Sequence, residues 1–231
     1  MKRRWILLYT LTIAAGLVIS YLGSRSVNVI SQKSPIQRNF SIVIDAGHGG
    51  VDGGAVSCTG IPESKYNLDL ALRLNDVFRL IGYDTRLIRT SDVSVYTKGE
   101  TIAQKKISDL KERVRIVNET ENAVLISIHQ NIFSDSRYSG AQVFYPDDAY
   151  SKKLAEQLQQ DIVLTINPGS RRQCKKSTGI YLMENITKPG ILIECGFLSN
   201  PQEEAKLQNK EYQQKLCCVI ASAVGSFLSN T

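Results

Sequence analysis

The stretch that decides the fold is Ser41-Ile-Val-Ile-Asp-Ala-Gly-His-Gly-Gly50. Its first half is a short apolar run, which is typical of a strand buried on both faces. Its Gly-rich second half predicts a loop directly after that strand. A second run, Ala123-Val-Leu-Ile-Ser-Ile128, has the same apolar character. A histidine follows each run closely, so the ends of the predicted strands carry the first candidate functional residues.

Further strands and helices alternate along the chain outside these two runs. Apolar periodicity and length predict helices at 67–80, 105–118, about 149–164 and 210–228, and strands at 83–88, 142–145, 180–183 and 190–194. Strands that alternate with helices indicate an α/β fold with a largely parallel sheet. We therefore expect a single three-layer α/β domain over residues 40–231.

The N-terminal segment carries the whole basic excess of the chain. The 231 residues include 28 Lys and Arg against 22 Asp and Glu, which gives a net charge of +6. Residues 1–39 hold six of the basic residues and no acidic residue. The rest of the chain is therefore neutral overall, and it gives no compositional reason to expect a nucleic-acid partner.

Residues 1–22 have the pattern of a membrane-targeting helix. Lys2, Arg3 and Arg4 precede an uncharged run of 18 residues, which is at the lower limit for a bilayer-spanning helix. The basic residues would stay cytoplasmic, so residue 40 onward would lie outside the membrane. The pattern favours an uncleaved signal anchor, with a cleaved signal peptide or a buried core helix as alternatives. Residues 23–39 are predicted to be a linker.

The chain has only two histidines, His48 and His129, and each follows a predicted strand. In open α/β sheets the carboxyl ends of the strands line the crevice where ligands bind. Two imidazoles at that rim suit a zinc site, which is completed by a carboxylate and a water when it is catalytic. Glu63 is the best candidate for the carboxylate ligand. Glu194 ends an apolar strand, where a carboxylate is costly unless it is paired or near a metal.

Other interpretations of these residues stay open at this point. A histidine at a strand end is often only a satisfied polar group. The Gly-rich loop could bind phosphate, although it lacks the G-x-G-x-x-G register and the lysine of a phosphate-binding loop. Cys195 could serve a thiol hydrolase, but it follows Glu194 on a strand, so the two side chains point to opposite faces.

The five cysteines are Cys58, Cys174, Cys195, Cys217 and Cys218. Export would permit disulfides, but the number is odd and the domain is too large to need them. We expect mostly free and buried thiols. A bridge between Cys58 and Cys174 remains open.

At these residues the sequence resembles the zinc-dependent N-acetylmuramoyl-L-alanine amidases. These enzymes cut peptidoglycan between the lactyl group of muramic acid and L-alanine. The resemblance runs from about residue 40 to 228 and consists of four ordered motifs. They are Ile42-Val-Ile-Asp-Ala-Gly-His-Gly-Gly50, Glu63 before a helix, Ser127-Ile-His-Gln-Asn131, and Leu192-Ile-Glu-Cys-Gly-Phe-Leu-Ser-Asn200.

The resemblance implies roles for single residues of this chain. His48, Glu63 and His129 match the zinc ligands of the family, and Glu194 matches its catalytic carboxylate. The catalytic carboxylate would take a proton from the attacking water and deliver it to the leaving amine. Asn131 would contact the substrate or support the site, or would only cap a loop. Asp45 would orient a ligand histidine or only cap the turn.

Two departures from the family pattern occur, and neither touches a ligand. Ala46 stands where the family more often has proline, and Gln130-Asn131 varies the residues that usually follow the second histidine.

A narrower resemblance, to the spore-cortex amidases of endospore-forming bacteria, rests on the short single domain and on the stretch 97–113. That stretch is rich in lysine and is either a glycan contact or a solvated helix face. The resemblance implies cortex maturation towards muramic-δ-lactam, together with a muramic acid deacetylase. It places the domain outside the cytoplasm, membrane-anchored or secreted, in the space between forespore and mother cell. An extracytoplasmic activating protein is a further possible partner.

Three alternatives to this function are also considered. The protein could be a vegetative autolysin, or a non-catalytic protein that binds peptidoglycan with the same fold. A zinc carboxypeptidase is the nearest chemical alternative, but its His-x-x-Glu spacing is absent, since fourteen residues separate His48 from Glu63.

Overall fold

The computed structural model describes residues 39–230. The predicted targeting helix at 1–22 and the predicted linker, except for its last residue, lie outside the described residues. Within residues 39–230, no helix combines the length and the hydropathy that a membrane span requires.

The described residues form an α/β domain around one six-stranded sheet. Its strands are Ser41–Ala46 (β1), Asp84–Leu87 (β2), Ala123–Asn131 (β3), Gln142–Tyr145 (β4), Lys175–Lys176 (β5) and Gly190–Phe197 (β6). The strand order is β2-β1-β3-β6-β4-β5. All neighbouring strands are parallel except β4 and β6, which are antiparallel. The largely parallel sheet that the sequence predicts is therefore confirmed, with one antiparallel pair that it does not predict.

Six helices connect or follow these strands in the described part of the chain. They are Glu63–Leu80 (α1), Ile102–Glu119 (α2), Ala149–Thr165 (α3), Tyr181–Asn185 (α4), Pro201–Gln208 (α5) and Lys210–Ser229 (α6). α2 begins three residues before the predicted start, because Thr101 and Gln104 form a reciprocal capping box there. α1 begins at Glu63 rather than at residue 67, so Glu63 lies in the first helical turn.

Helices cover the two faces of the sheet unequally, which confirms three layers. Alternate side chains of β3 belong to two separate apolar clusters. The larger cluster packs against α1, α3 and α6, and includes Leu70, Leu158 and Val224. The smaller cluster packs against α2 and α4. The face with the smaller cluster leaves room at the carboxyl ends of the strands for polar side chains.

The prediction of a strand at residues 180–183 is wrong, because this segment forms the short helix α4. Leu182 and Met183 are both buried, while Tyr181 and Glu184 on either side are exposed. Two adjacent buried residues fit one face of a helix and not the alternation of a strand. A short apolar run cannot be assigned by periodicity alone, and here the packing against α2 and β6 decides.

Candidate metal centre

β1 delivers His48 to the carboxyl edge of the sheet through a tight loop. His48 has a φ of +59°, which is uncommon for a residue with a side chain. Gly47 and Gly54 permit this close packing. A Cβ at Gly47 would lie 2.2 Å from the ring of His129, and a Cβ at Gly54 would lie 2.6 Å from Oε2 of Glu63. The glycines of the loop are therefore required by the approach of the candidate ligands.

His48, Glu63 and His129 meet at this edge, as the sequence predicts. Nε2 of His48 lies 3.3 Å from Oε2 of Glu63. Nδ1 of His129 lies 3.0 Å from Oε1 of Glu63. One ligand atom from each of the three residues lies within 4.8 Å of the others, a spacing at which they could hold a metal ion.

The carboxylate of Glu63 accepts several hydrogen bonds. Its carboxylate accepts hydrogen bonds from the backbone N–H groups of Ala55 (3.0 Å) and Gln130 (3.1 Å) and from the side chain of Asn67 (3.1 Å). Burial alone would raise the pKa of Glu63. The hydrogen bond and charge of His129, the charge of His48 and the Gln130 N–H outweigh burial and lower the pKa to about 2. Glu63 is therefore an anion at any physiological pH.

Asp52 is a functional candidate that the sequence interpretation missed. Its Oδ2 lies 3.1 Å from Nδ1 of His48 and 3.2 Å from Nζ of Lys106. A carboxylate on the second ring nitrogen fixes the orientation and tautomer of a metal-binding histidine. Its position four residues after His48, in the same loop, was the available signal.

Glu194 lies on β6 directly beside His129 on β3, since the two residues are paired in register. Both therefore leave the sheet on the same face. The strand does not end at Glu194, as the sequence suggested, but continues to Phe197 through a bulge. Cys195 is completely buried in the larger cluster on the opposite face, which confirms that it cannot share the site with Glu194.

Glu194 differs from Glu63 in its hydrogen bonding. Among the described residues, its Oε2 is buried and has no hydrogen-bond partner. Burial raises the pKa of Glu194 to about 7, with a contribution from the negative charge of Glu63 and against the charge of His129. A carboxyl group with a pKa near neutrality can both accept and release a proton.

The carboxylate of Asp45 contacts an arginine and a serine, and its predicted role in orienting a ligand histidine stays a prediction. One of its carboxylate oxygens contacts the buried Arg113, and the other accepts a hydrogen bond from Ser127 Oγ at 2.6 Å. Nη2 of Arg113 in turn donates to the carbonyl oxygen of His48 at 2.8 Å, and its Nε donates to Asp109 at 2.6 Å. Asp45 therefore orients the guanidinium that holds the backbone of His48.

A second buried arginine, Arg89, holds the same loop from another direction. It donates to the carbonyl oxygens of Ala46 (2.8 Å), Gly47 (3.1 Å) and Ser64 (2.8 Å). It thereby joins the His48 loop to the first turn of α1, next to Glu63. Sequence reasoning missed the roles of both arginines, because their partners here include backbone carbonyls that no motif encodes.

The role of Asn131 stays a prediction. It is the last residue of β3, pairs in register with Phe197, and accepts a hydrogen bond from Leu198 N–H through its own carbonyl oxygen at 2.8 Å. This backbone contact places it at the edge of the sheet where the candidate ligands meet.

The bridge between Cys58 and Cys174 that the sequence left open is not formed, and all five cysteines are free thiols. The thiol of Cys58 instead donates to the carboxylate of Glu204. The same carboxylate accepts from Tyr66 at 2.9 Å and from the hydroxyl of Thr59. These hydrogen bonds tie the loop before Glu63 to α5, and a disulfide is not needed for that purpose.

The donor set fits a metal ion of the zinc type. Zinc binds both imidazole nitrogen and carboxylate oxygen, and three such ligands leave a fourth position open in tetrahedral coordination. Glu194 lies beside His129 in the sheet, and its oxygen without a hydrogen-bond partner among the described residues could accept a proton. This combination in an α/β domain defines the class of metal-assisted hydrolases.

Comparison with known proteins gives the particular family. The family described as N-acetylmuramoyl-L-alanine amidase matches residues 42–226. The chain therefore belongs to the N-acetylmuramoyl-L-alanine amidases, enzymes that act on peptidoglycan. The resemblance that the motifs indicate is confirmed.

Individual relatives agree with this assignment. The chain is 38% identical over 185 residues to the germination-specific N-acetylmuramoyl-L-alanine amidase of Bacillus subtilis, a match that covers 79% of this chain and 77% of the relative. It is 30% identical over 216 residues to the amidase LytC of the same organism, which covers 91% of this chain and 40% of LytC.

A solved structure of the CwlD amidase from Clostridioides difficile, in complex with the GerS lipoprotein, superposes with a TM-score of 0.80. It is 36% identical, and the match covers 84% of this chain and all of that chain.

Proposed function

We propose that this protein is a zinc-dependent amidase in which His48, Glu63 and His129 bind the metal and Glu194 is the catalytic acid and base. The observation that carries the proposal is the contrast between the three clustered candidate ligands and Glu194 beside them, whose buried Oε2 has no hydrogen-bond partner among the described residues. When bound, zinc supplies a Lewis acid that polarises the scissile carbonyl and acidifies a water molecule.

The residues of the chain perform the remaining work. Asp52 holds the ring of His48 through Nδ1, so that the other ring nitrogen faces the site. Glu63 contributes a permanent negative charge, because its donors keep it ionised. Glu194 removes a proton from the attacking water and transfers it to the nitrogen of L-alanine as that amine leaves. A pKa close to neutrality suits both halves of this transfer.

Mass analysis of muropeptides tests the proposed bond. Peptidoglycan is digested with the purified domain before and after removal and restoration of zinc. We expect free stem peptides that begin with L-alanine, together with glycan strands that carry free lactyl groups, only when zinc is present. Cleavage within the peptide or the glycan would contradict the amidase proposal, and cleavage that survives a strong chelator would contradict the zinc.

We further propose a role in the spore cortex. It is supported by the identity to a germination-specific relative. The residues before the domain would anchor it or export it to the space between forespore and mother cell, where a deacetylase completes muramic-δ-lactam formation. In spores that lack this protein we expect cortex without muramic-δ-lactam. Normal lactam with defective vegetative walls would favour the autolysin alternative instead.

An extracytoplasmic activating protein is part of the same proposal. It is supported by the solved CwlD amidase, which was captured in complex with a lipoprotein. Zinc affinity of the isolated domain, measured by chelator competition, tests whether a partner is needed. Tight zinc binding and full activity without any partner would contradict it.

A further inference from the structure

Arg172 is a guanidinium held in a fixed position without an acidic partner. Its Nε donates to the carbonyl oxygen of Ser139 at 2.8 Å, and its Nη1 donates to Oε1 of Gln142 at 2.9 Å. The guanidinium carbon also lies 4.8 Å from the centre of the Phe197 ring. Within residues 39–230, no carboxylate lies within ion-pair distance of it. The exposed Arg137, in contrast, pairs with Asp135 at 2.7 Å.

Gln142, one of the two hydrogen-bond partners of this guanidinium, lies next to Glu194 in the sheet, on the side away from the histidines. Gln142 pairs in antiparallel register with Glu194, so both side chains lie on the same face. Phe197 pairs with Asn131, two residues after His129. The bulge gives β6 one extra residue between Glu194 and Phe197, so Phe197 lies opposite Asn131. Arg172 is anchored to both Gln142 and Phe197. Glu194 thus lies between His129 on β3 and Gln142 on β4, and Arg172 is hydrogen-bonded to Gln142.

The surroundings of Arg172 favour an incoming anion. The residue is half-buried, and burial lowers the pKa of its guanidinium, against the charges of Glu203 and Tyr138. Removing a cation from water costs free energy, and a paired anion usually compensates that cost. Arg172 has no such anion within ion-pair distance among the described residues. Only two of its five N–H groups are engaged in the hydrogen bonds above. The others are available to a planar anion, which arginine binds through two parallel hydrogen bonds.

The chemistry of the substrate identifies the anion, and this step rests on the proposed function. The lactyl carboxyl group of muramic acid is consumed in the scissile amide, so the sugar portion is uncharged there. The negative charges of the substrate are the carboxylates of the stem peptide, which belong to the leaving group. We propose that Arg172 binds a carboxylate of the stem peptide beyond L-alanine, and that it thereby places the leaving amine against Glu194.

Paired substrates test this subsite. Two muropeptides are compared that differ only at the acidic residue of the stem peptide, which carries either a free carboxylate or a carboxamide. With the zinc-loaded wild-type domain we expect kcat/KM to favour the carboxylate about 10- to 100-fold, the range of a charge-assisted hydrogen-bonded pair. Arg172→Gln should lose this preference through a higher KM for the carboxylate substrate, with little change for the amide.

Two further variants complete the design. Arg172→Lys keeps the charge without the two-pronged geometry, so we expect it to retain part of the preference. Arg171→Gln removes the same charge from the neighbouring exposed residue, and it should keep the wild-type preference. Zinc content and the thermal unfolding midpoint of each variant are measured alongside.

Equal slowing of both substrates by Arg172→Gln, or a wild-type domain that does not discriminate, would overturn the subsite. Calorimetric binding of the free stem peptide and of its amide to the domain reads the same preference without cleavage. If the wild-type domain cuts neither substrate, the proposed function fails. Selective binding of the peptide acid that is lost in Arg172→Gln and reduced in Arg172→Lys would then still support the subsite, and its absence would refute it.

Discussion

The two sides of the site treat a buried carboxylate in opposite ways. On the side of β1 and β3, Glu63 accepts hydrogen bonds from two backbone N–H groups and from the side chains of Asn67 and His129, and its pKa is about 2. On the side of β6 and β4, Glu194 keeps a buried oxygen with no partner among the described residues, and its pKa is about 7. Environments that push two pKa values apart assign different tasks to chemically identical groups. One carboxylate is built to stay charged, and the other is built to exchange a proton.

The largest expected effect is on hydrolysis by Glu194→Gln. The substitution keeps the size of the side chain and removes its ability to accept a proton. We expect the rate of peptidoglycan hydrolysis to fall about 10³-fold, within the range for general acid–base groups, while zinc affinity changes little. The measurement is amide hydrolysis by a variant whose zinc content has been determined.

Cys195→Ala is the matched control, because Cys195 is the next residue and faces the larger cluster on the other face. It should hydrolyse peptidoglycan at a rate close to that of the wild type. Wild-type activity of zinc-loaded Glu194→Gln would show that Glu194 is not the base.

Glu63→Gln should have the opposite effect to Glu194→Gln, because it should weaken zinc binding. It removes the negative charge that two imidazoles and a cation share. We expect the zinc dissociation constant, measured by chelator competition, to rise more than about 100-fold, which exceeds the effect of most outer-shell changes. A dissociation constant within a few-fold of the wild-type value would contradict the role of Glu63 as a ligand.

Arg113→Lys tests whether zinc binding on the side of β1 and β3 depends on the buried guanidinium that holds the backbone of His48. Lysine keeps the charge near Asp45 but cannot also donate to Asp109 and the His48 carbonyl with the same geometry. We expect zinc affinity to fall about 10- to 100-fold, the usual cost of losing an outer-shell contact. Arg115→Lys, at an exposed position of the same helix that pairs with Glu112, should leave zinc affinity unchanged. An unchanged zinc affinity in Arg113→Lys would show that zinc binding does not need the hydrogen bonds of the Arg113 guanidinium.

The smallest effect is expected at Glu204, another carboxylate that accepts several hydrogen bonds. Burial would raise the pKa of Glu204, but hydrogen bonds from Cys58, Thr59 and Tyr66 among others lower it to about 2. A lowered pKa stabilises the fold above the unfolded-state value, and this contribution disappears as pH falls towards the folded-state value.

Glu204→Gln should therefore lower the free energy of unfolding by about 1–3 kcal/mol at pH 7. Urea unfolding should show a smaller difference between variant and wild type at pH 3 than at pH 7. A difference that does not shrink at low pH would show that the ionised carboxylate is not the stabilising group.

The sequence was sufficient for the features that depend on local pattern. β1 and β3 are continuous apolar runs, and their ends identify His48 and His129. Glu63 and Glu194 were candidates from their positions in the sequence, the family motifs implied their separate roles, and the structure brings both to the same edge. Contacts between residues far apart in the sequence could not be predicted. Arg89 donates to the carbonyl oxygens of Ala46, Gly47 and Ser64, which all lie far from it along the chain. The apolar run at 180–183 becomes a helix only through its packing.

The most direct test of the contrast is a carboxyl-carbon NMR titration of the zinc-free domain, with Glu63→Gln and Glu194→Gln to assign the two signals. We predict that Glu63 titrates near pH 2 and Glu194 near pH 7. The raised pKa also predicts that zinc-free Glu194→Gln is more stable than the wild type above pH 7 and equally stable below pH 4, since only the ionised form is penalised. Two carboxyl groups that both titrate near pH 4 would contradict the division of roles.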